Sequence, residues 1–262
     1  MYNYPSYQGH FSLLNLPHLP IPSHPLFHTI SPPPSLPPKP PPKNQKKTKT
    51  KTKMSPPTFT TTLIPPPGKS TPLNLPIFTT TTPTPSSSGS PLTDALTIRS
   101  LVFVTEQNCT PEGEIDNDDV RSWQWVIYHE PQPSTTPTET KTPVAVIRLV
   151  PPPHEPHEVL THPESAGSLP KWDTDHEPYV KLTRVAVLKE WRGYGLGRKL
   201  VEEALEWARG NGGEIERACA EVVGEEREKK AWKGLVLVHA QTQVERMYVR
   251  MGFETDEGLG RW

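Results

Sequence analysis

WRGYGLGRKLVEEALEWARG, Trp191–Gly210, sets three glycines, Gly193, Gly195 and Gly197, directly in front of a helix. Leu196, Leu200, Ala204 and Ala208 recur every four residues, while Glu202, Glu203 and Glu206 occupy the rest of the surface, the pattern of an amphipathic helix on a sheet. Gly210 is a fitting stop. Before the glycines, YVKLTRVAVL (Tyr179–Leu188) reads as the strongest strand of the chain, its centre Val185-Ala186-Val187 small and apolar on both faces. Strand, glycine turn and helix together aim several backbone N–H groups and a helix N-terminus at one point. Gly195 and Gly197 remove Cβ atoms that would block close approach, and Arg192, Arg198 and Lys199 add positive charge. Phosphate oxygens are the natural guest.

Two common phosphate motifs do not fit. A dinucleotide fingerprint needs G-x-G-x-x-G, and position 200 is Leu. Gly68-Lys69-Ser70 ends like a P-loop, but position 63 is Leu and the segment lies in a proline-rich stretch.

Outward from the turn, the order of elements predicts an α/β layer with a mixed sheet. LTDALTIRSLVFVTEQ (Leu92–Gln107) starts as a helix through Ala95, Ile98 and Val102. The acidic loop PEGEIDNDD (Pro111–Asp119) follows, read as solvated, although it could attract a cationic amine. SWQWVIYH (Ser122–His129) and VAVIRLV (Val144–Val150) read as a hairpin pair. Residues 151–178 are a long surface loop, and residues 211–233 a charged, glycine-broken insertion. GLVLVHAQ (Gly234–Gln241) is a further strand. Ala240, Val244, Met247, Tyr248 and Met251 share one helical face, Gly252 ends that helix, and Phe253 starts a last strand.

The N-terminal third differs. Of 35 prolines, 23 precede Thr93, and Thr79–Ser90 is a Thr/Ser/Pro run. Such composition cannot offset the entropy of ordering, so residues 1–92 are expected to be a disordered Pro/Thr/Ser/Lys-rich tail. Residues 93–262 would then form one domain, burying roughly 70% of its unfolded surface. Translation from Met54 would, on this reading, remove most of the tail at no cost to the fold. The PxxP steps fit an SH3- or WW-type partner, as any proline-rich tail does. Lys43–Lys53 reads as a solvated basic linker, with nuclear import the competing reading.

The net charge of −1 gives no global pull toward nucleic acid or a membrane, and no stretch approaches the roughly 20 apolar residues of a span. Cys109 and Cys219 form no metal or disulfide pattern, and His154, His157, His162 and His176 fall in the long loop without zinc-site spacing. No metal is expected. The first basic residue is Lys39, so no secretory or transit signal is visible and a cytoplasmic protein is expected.

Arg192 through Gly197 spell R-x-x-G-x-G, and MYVRMGF (Met247–Phe253) follows at a suitable distance. Here the sequence resembles the GNAT (Gcn5-related) N-acetyltransferase superfamily. VFVTEQ with EIDNDD resembles its small acetyltransferases, including the glucosamine 6-phosphate N-acetyltransferase-like proteins well represented in fungi. The resemblance covers nearly all of residues 93–262. It implies a mostly antiparallel mixed sheet flanked by helices, with a splayed central strand pair. It implies acetyl-CoA as co-substrate, with the pantetheine arm against Val185, Ala186 and Val187 and the pyrophosphate on the turn from Arg192 through Gly193, Tyr194, Gly195, Leu196, Gly197 and Arg198 to Lys199. It places Tyr248 as the acid that protonates the departing thiol. It implies direct transfer to a primary amine, a small molecule such as an amino-sugar phosphate. A protein or peptide acceptor, or a CoA-binding module without catalysis, are the alternatives. Many relatives are dimers, so a homodimer fits.

No general base stands out. Asp175, Glu177, Glu106 and His239 each suit an ordinary solvated or capping role. Arg148 and Arg184 would flank the cleft, free to meet an acceptor phosphate or engaged in salt bridges. Relatives usually continue past Leu259-Gly260-Arg261-Trp262 into one more strand, whose loss would leave a sheet edge unpaired.

Overall fold

The computed structural model describes residues 8–13, 56–76, 87, 89–131, 140–161, 167–224 and 230–255. Met1–Pro17 and Pro57–Trp262 form one compact unit; His18–Pro56 is a second, nearly all of it outside the described residues.

Within the first unit the described strands are β1 (Gln8–Leu13), β2 (Thr58–Ile64), β3 (Trp123–Glu130), β4 (Thr142–Val150), β5 (Val180–Val187), β6 (Val236–Gln241) and β7 (Glu254–Thr255). They form one sheet in the order β2-β3-β4-β5-β6-β1-β7. Every pairing is antiparallel except β5 with β6. The helices are α1 (Pro91–Arg99), α2 (Glu158–Thr161), α3 (Leu196–Gly210), α4 (Gly212–Val223) and α5 (Glu245–Arg250). The expected mixed, mostly antiparallel sheet flanked by helices is therefore present.

Both faces of the sheet are covered, which is why its central strands read as unbroken apolar runs. Trp125, Ile127, Ile147, Leu149 and Leu182 face α3, where Leu196, Leu200, Val201, Ala204, Leu205 and Ala208 are buried. Val126, Tyr128, Val146 and Ala186 face Ala95 and Ile98 of α1 and Val102 of the segment that continues it. Alternation along β3 and β4 thus feeds two cores from one sheet. Trp207 of α3 packs on Trp123 and Trp125 at ring distances of 4.6 and 5.8 Å.

Ser90 caps α1, its side chain accepting from the Thr93 N–H, with Pro91 at the first helical position. The helix then continues as a π-helical segment, Ser100–Glu106, through the β-branched SLVFVTE. The segment 211–233, read as a charged, glycine-broken insertion, contains the twelve-residue α4, which buries Ile215 against the α3 core.

The tail reading needs the largest correction. Two pieces of residues 1–92 are strands of this sheet. TFTTTLI, with its Thr, Phe, Leu and Ile, has the composition of a half-buried edge, and β2 pairs with β3 from Thr58↔Glu130 to Ile64↔Gln124. β1 lies between β6 and β7, antiparallel to both. Removing residues before Met54 would therefore remove a sheet strand, contrary to the expectation of no cost. The last strand foreseen at Phe253 is β7, and it pairs with β1. The Lys43–Lys53 run, the PxxP steps of residues 32–43 and residues 256–262 lie outside the described residues.

Candidate active site

β5 and β6 pair in parallel only from Val180↔Val236 to Leu182↔Val238, yet β5 runs on to Val187 and β6 to Gln241. Beyond Leu182 the strands part, leaving the β6-facing backbone edge of β5 without a strand partner among the described residues. A register shift on the β4 side falls at the same place, between Val146 and Arg148, and Arg184 opposite it adopts a left-handed φ of 53°. The parted strands open a cleft lined by Val185, Ala186 and Val187 on one side and by Ala240 and Gln241 on the other.

The glycine turn joins β5 to α3 beside this cleft. Gly195 is the N-cap of α3 with φ 77°, and no side chain caps the helix. An L-residue at this φ is strained, so glycine is required by the backbone itself. A Cβ on Gly195 would meet nothing within 4 Å; one on Gly197 would meet Met247 Sδ and Val187 Cγ2, both at 3.8 Å, an ordinary contact. The open space thus lies at Gly195, not at Gly197 as well. The N–H groups of the first helical turn face no capping side chain, which fits an anionic group.

Of the residues read from the sequence as a cradle, Val185, Ala186, Val187, Arg192, Gly193, Gly195, Leu196, Gly197 and Arg198 line the cleft, and so does Tyr248 of α5. Tyr194 and Lys199 lie off it, Tyr194 against Phe59 and Lys199 bonded to Glu203. Arg192 is not simply a loose charge. Its guanidinium forms a bidentate pair with Glu106 at 2.6 and 2.6 Å, and its Nε donates to the Val187 carbonyl at 3.0 Å. It fastens the end of the π-helical segment to the end of β5. Glu106 therefore acts as its partner. Arg198 pairs with Glu202 on the exposed face of α3.

Tyr248 is 2% exposed, and its ring meets Phe253 edge-to-face at 5.3 Å. Burial raises its hydroxyl above the ordinary tyrosine range, so it holds its proton at neutral pH. The residue belongs both to the apolar core and to the cleft wall.

The acidic loop is not simply solvated, for Glu114 and Asp119 are buried. Three guanidinium groups, Arg99, Arg148 and Arg184, face three carboxylates, Glu114, Asp116 and Asp119. Arg99 Nε donates to Glu114 at 2.7 Å and its Nη1 to Asp119 at 2.5 Å. Arg148 grips Asp116 through both terminal nitrogens at 2.7 and 2.8 Å, and its Nε donates to Thr183. Arg184 reaches Glu114 and the Gly113 carbonyl. Arg148 and Arg184 are thus already engaged by carboxylates, which argues against the reading that frees them for an acceptor. Burial would push Asp119 up, but Arg148 and Arg99 outweigh it and hold its carboxyl well below the usual range. Asp116 is likewise lowered, the Arg148 bonds overcoming burial.

Two cleft residues were not placed there by sequence reasoning, Lys181 and His154, the latter weighed only as a zinc ligand. Lys181 stands on β5 two residues before Thr183, and burial lowers its ammonium below the ordinary lysine range. His154 stacks on Tyr179 at 4.2 Å, and the Tyr179 carbonyl accepts from its Nε2 at 2.9 Å, which fixes that tautomer. Burial, with Lys181 and Arg121 nearby, keeps His154 neutral. Strand alternation alone could have placed Lys181 and Thr183 on one face. Asp175 and Glu177, weighed as bases, lie just ahead of β5, where Asp173 pairs with His176 at 2.7 Å. His239 of β6 lines the cleft.

The model of the acetyltransferase (GNAT) family matches residues 101–253, more than half of the chain. The chain belongs to the GNAT acetyltransferase family. It is similar in solved structures to an acyl-CoA N-acyltransferase from Pseudomonas aeruginosa, 25% identical, covering 62% of this chain and 77% of that one with a TM-score of 0.36. It is also similar to ElaA of Escherichia coli, 23% identical over 62% and 77% with a TM-score of 0.35. As a GNAT protein the chain is an acetyl-CoA-dependent acyltransferase. Among the described residues of this GNAT chain, no helix is long and apolar enough to cross a membrane, and no cluster of three or more His, Cys, Asp or Glu is placed to hold a metal.

Proposed function

We propose that the chain moves an acetyl group from acetyl-CoA to the primary amine of a small molecule, with amino-sugar phosphates such as glucosamine 6-phosphate as the first acceptors to test. One observation carries this reading: the edge of β5 that is unpaired among the described residues, the uncapped Gly195 turn and Tyr248 all border the same cleft. When bound, acetyl-CoA supplies the thioester. The backbone of Val185–Val187 orients the pantetheine arm as an added strand, and the N–H groups at the start of α3 hold the pyrophosphate. The neutral amine nitrogen forms a bond to the acetyl carbon and the carbon–sulfur bond breaks; the Tyr248 hydroxyl gives its proton to the sulfur, and the proton that the nitrogen sheds on becoming an amide passes through water to restore the Tyr248 hydroxyl. Asp173 and Glu177 on the cleft wall favour a cationic amine, and Lys171 and Lys181 offer charge to an acceptor phosphate.

The test is thiol release by the full chain with a panel of amines that includes glucosamine 6-phosphate, alongside calorimetric titration with CoA. Tyr248→Phe should cut turnover by about a hundredfold and leave the CoA dissociation constant unchanged. Wild-type-like turnover in that variant would remove Tyr248 from the acid role. CoA binding without thiol release for any amine would favour a binding module.

A further inference from the structure

The glycine turn is held from the side away from the cleft by β2, which lies outside the 101–253 family match. The Phe59 ring stands 5.8 Å from Trp191 at an interplanar angle of 87°, and 5.9 Å from Tyr194 at 60°. Both are edge-to-face contacts, the arrangement aromatic quadrupoles favour. Trp191 and Tyr194 bracket Arg192 and Gly193, and Tyr194 runs directly into the left-handed Gly195. His129 of β3 closes the group, 4.4 Å from Trp191 and 5.9 Å from Phe59. Thr61 lies two residues along β2, on the same face by strand alternation. Its hydroxyl donates to Glu203 Oε1 at 3.1 Å, and the same oxygen accepts from Lys199 Nζ at 2.5 Å. Lys199 belongs to the first turn of α3.

One face of β2 therefore makes two ties, a ring contact to the turn and a hydroxyl link to the helix start. A turn with two left-handed glycines loses much conformational entropy when a ligand fixes it. A turn already held in place loses less, and the saving appears as affinity. We infer that Phe59 and Thr61 are positioning residues for the phosphates of CoA: they hold the Gly195 turn and the start of α3 so that the N–H groups converge. The inference rests on the reading of the cleft as a CoA site. It gives an N-terminal strand with the composition of a tail a part in co-substrate binding.

The experiment compares two probes on the full chain by calorimetry, CoA and S-acetylpantetheine, which lacks the phosphates. Phe59→Ala should weaken CoA about tenfold, and Thr61→Val about threefold, while Phe59→Tyr, which keeps the ring, stays within about twofold of wild type. Affinity for S-acetylpantetheine should stay unchanged in all three. Thermal melting of the milder Phe59→Tyr and Thr61→Val variants shows whether each is folded at the assay temperature. Unchanged CoA affinity in Phe59→Ala and Thr61→Val would overturn the positioning role and leave the CoA site standing. Equal weakening of both probes would also overturn it, because β2 would then support only the fold. A wild-type chain that binds no CoA would overturn the cleft reading and this inference together.

Discussion

Arg99 is fully buried, yet its guanidinium remains charged: burial opposes the charge, and Asp119 with Glu114 more than restores it. Such a residue is costly to disturb, because removing one partner leaves the other charge buried alone. Little of this was legible in the chain: salt bridges were one of two readings of Arg148 and Arg184, but their partners carried no signal. The acidic run Glu112–Asp119 has no period and reads as a solvated loop, while its partners Arg99, Arg148 and Arg184 stand 15 to 70 residues away in sequence. The consequence is testable. Asp119→Asn should destabilise the chain by about 3 kcal/mol at pH 7, measured by urea unfolding. The carboxyls of Asp116 and Asp119 are held below their ordinary value near ~4 in the fold. Their contribution is therefore present above that pH and lost as pH falls through the folded values. The urea midpoint should hold between about pH 7 and 5 and fall steeply below ~4, with a shallower fall in Asp119→Asn. An equally steep fall in the variant would mean that Asp119 does not carry the acid dependence.

At the scale of the element, strand, turn and helix were read correctly because each leaves a local signal. The four-residue spacing of Leu196, Leu200, Ala204 and Ala208 shows in a single window, and all four are buried. The splay between β5 and β6 leaves no such signal and came only from the resemblance. The two glycines of the turn looked alike in sequence and differ in the fold. Gly195 carries φ 77° beside open space; Gly197 is ordinary helix, and its missing Cβ points toward Met247 and Val187. Gly195→Ala should therefore cost about 1–2 kcal/mol from the left-handed backbone alone. It should also weaken CoA at least tenfold, because the new methyl enters the space at the uncapped helix start. Gly197→Ala should keep both stability and CoA affinity within about twofold. Calorimetry and urea unfolding on the two variants separate these outcomes. Equal loss of affinity in both would place the phosphates deeper against Met247 than the geometry of Gly195 suggests.

Across the whole molecule, the reading of composition averaged away two short strands. QGHFSL and TFTTTLI stand among proline, threonine and lysine runs, and over a ninety-residue window those runs dominate. A strand with few apolar residues is specified by its neighbours rather than by itself, since its backbone ladder needs only an available edge. β6 and β7 provide such edges. Gln8–Leu13 pairs with Val236–Gln241 along its full length and with Glu254–Thr255 on its other side. β7 touches the sheet through this pairing, and α5 with Tyr248 lies between β6 and β7 in the chain. A chain beginning at Met54 keeps β2 and its hold on the glycine turn but lacks β1. It should melt several degrees lower, roughly 4 °C or more, than the full chain. Amide exchange should accelerate in Val236–Gln241, whose ladder on that side would be open to water, while β3 and β4 stay protected. Affinity for CoA should hold, because the turn, β2 and β5 are intact, and turnover should fall through the loosened support of α5. Equal melting and equal protection in the two chains would show that β6 does not need the N-terminal strand.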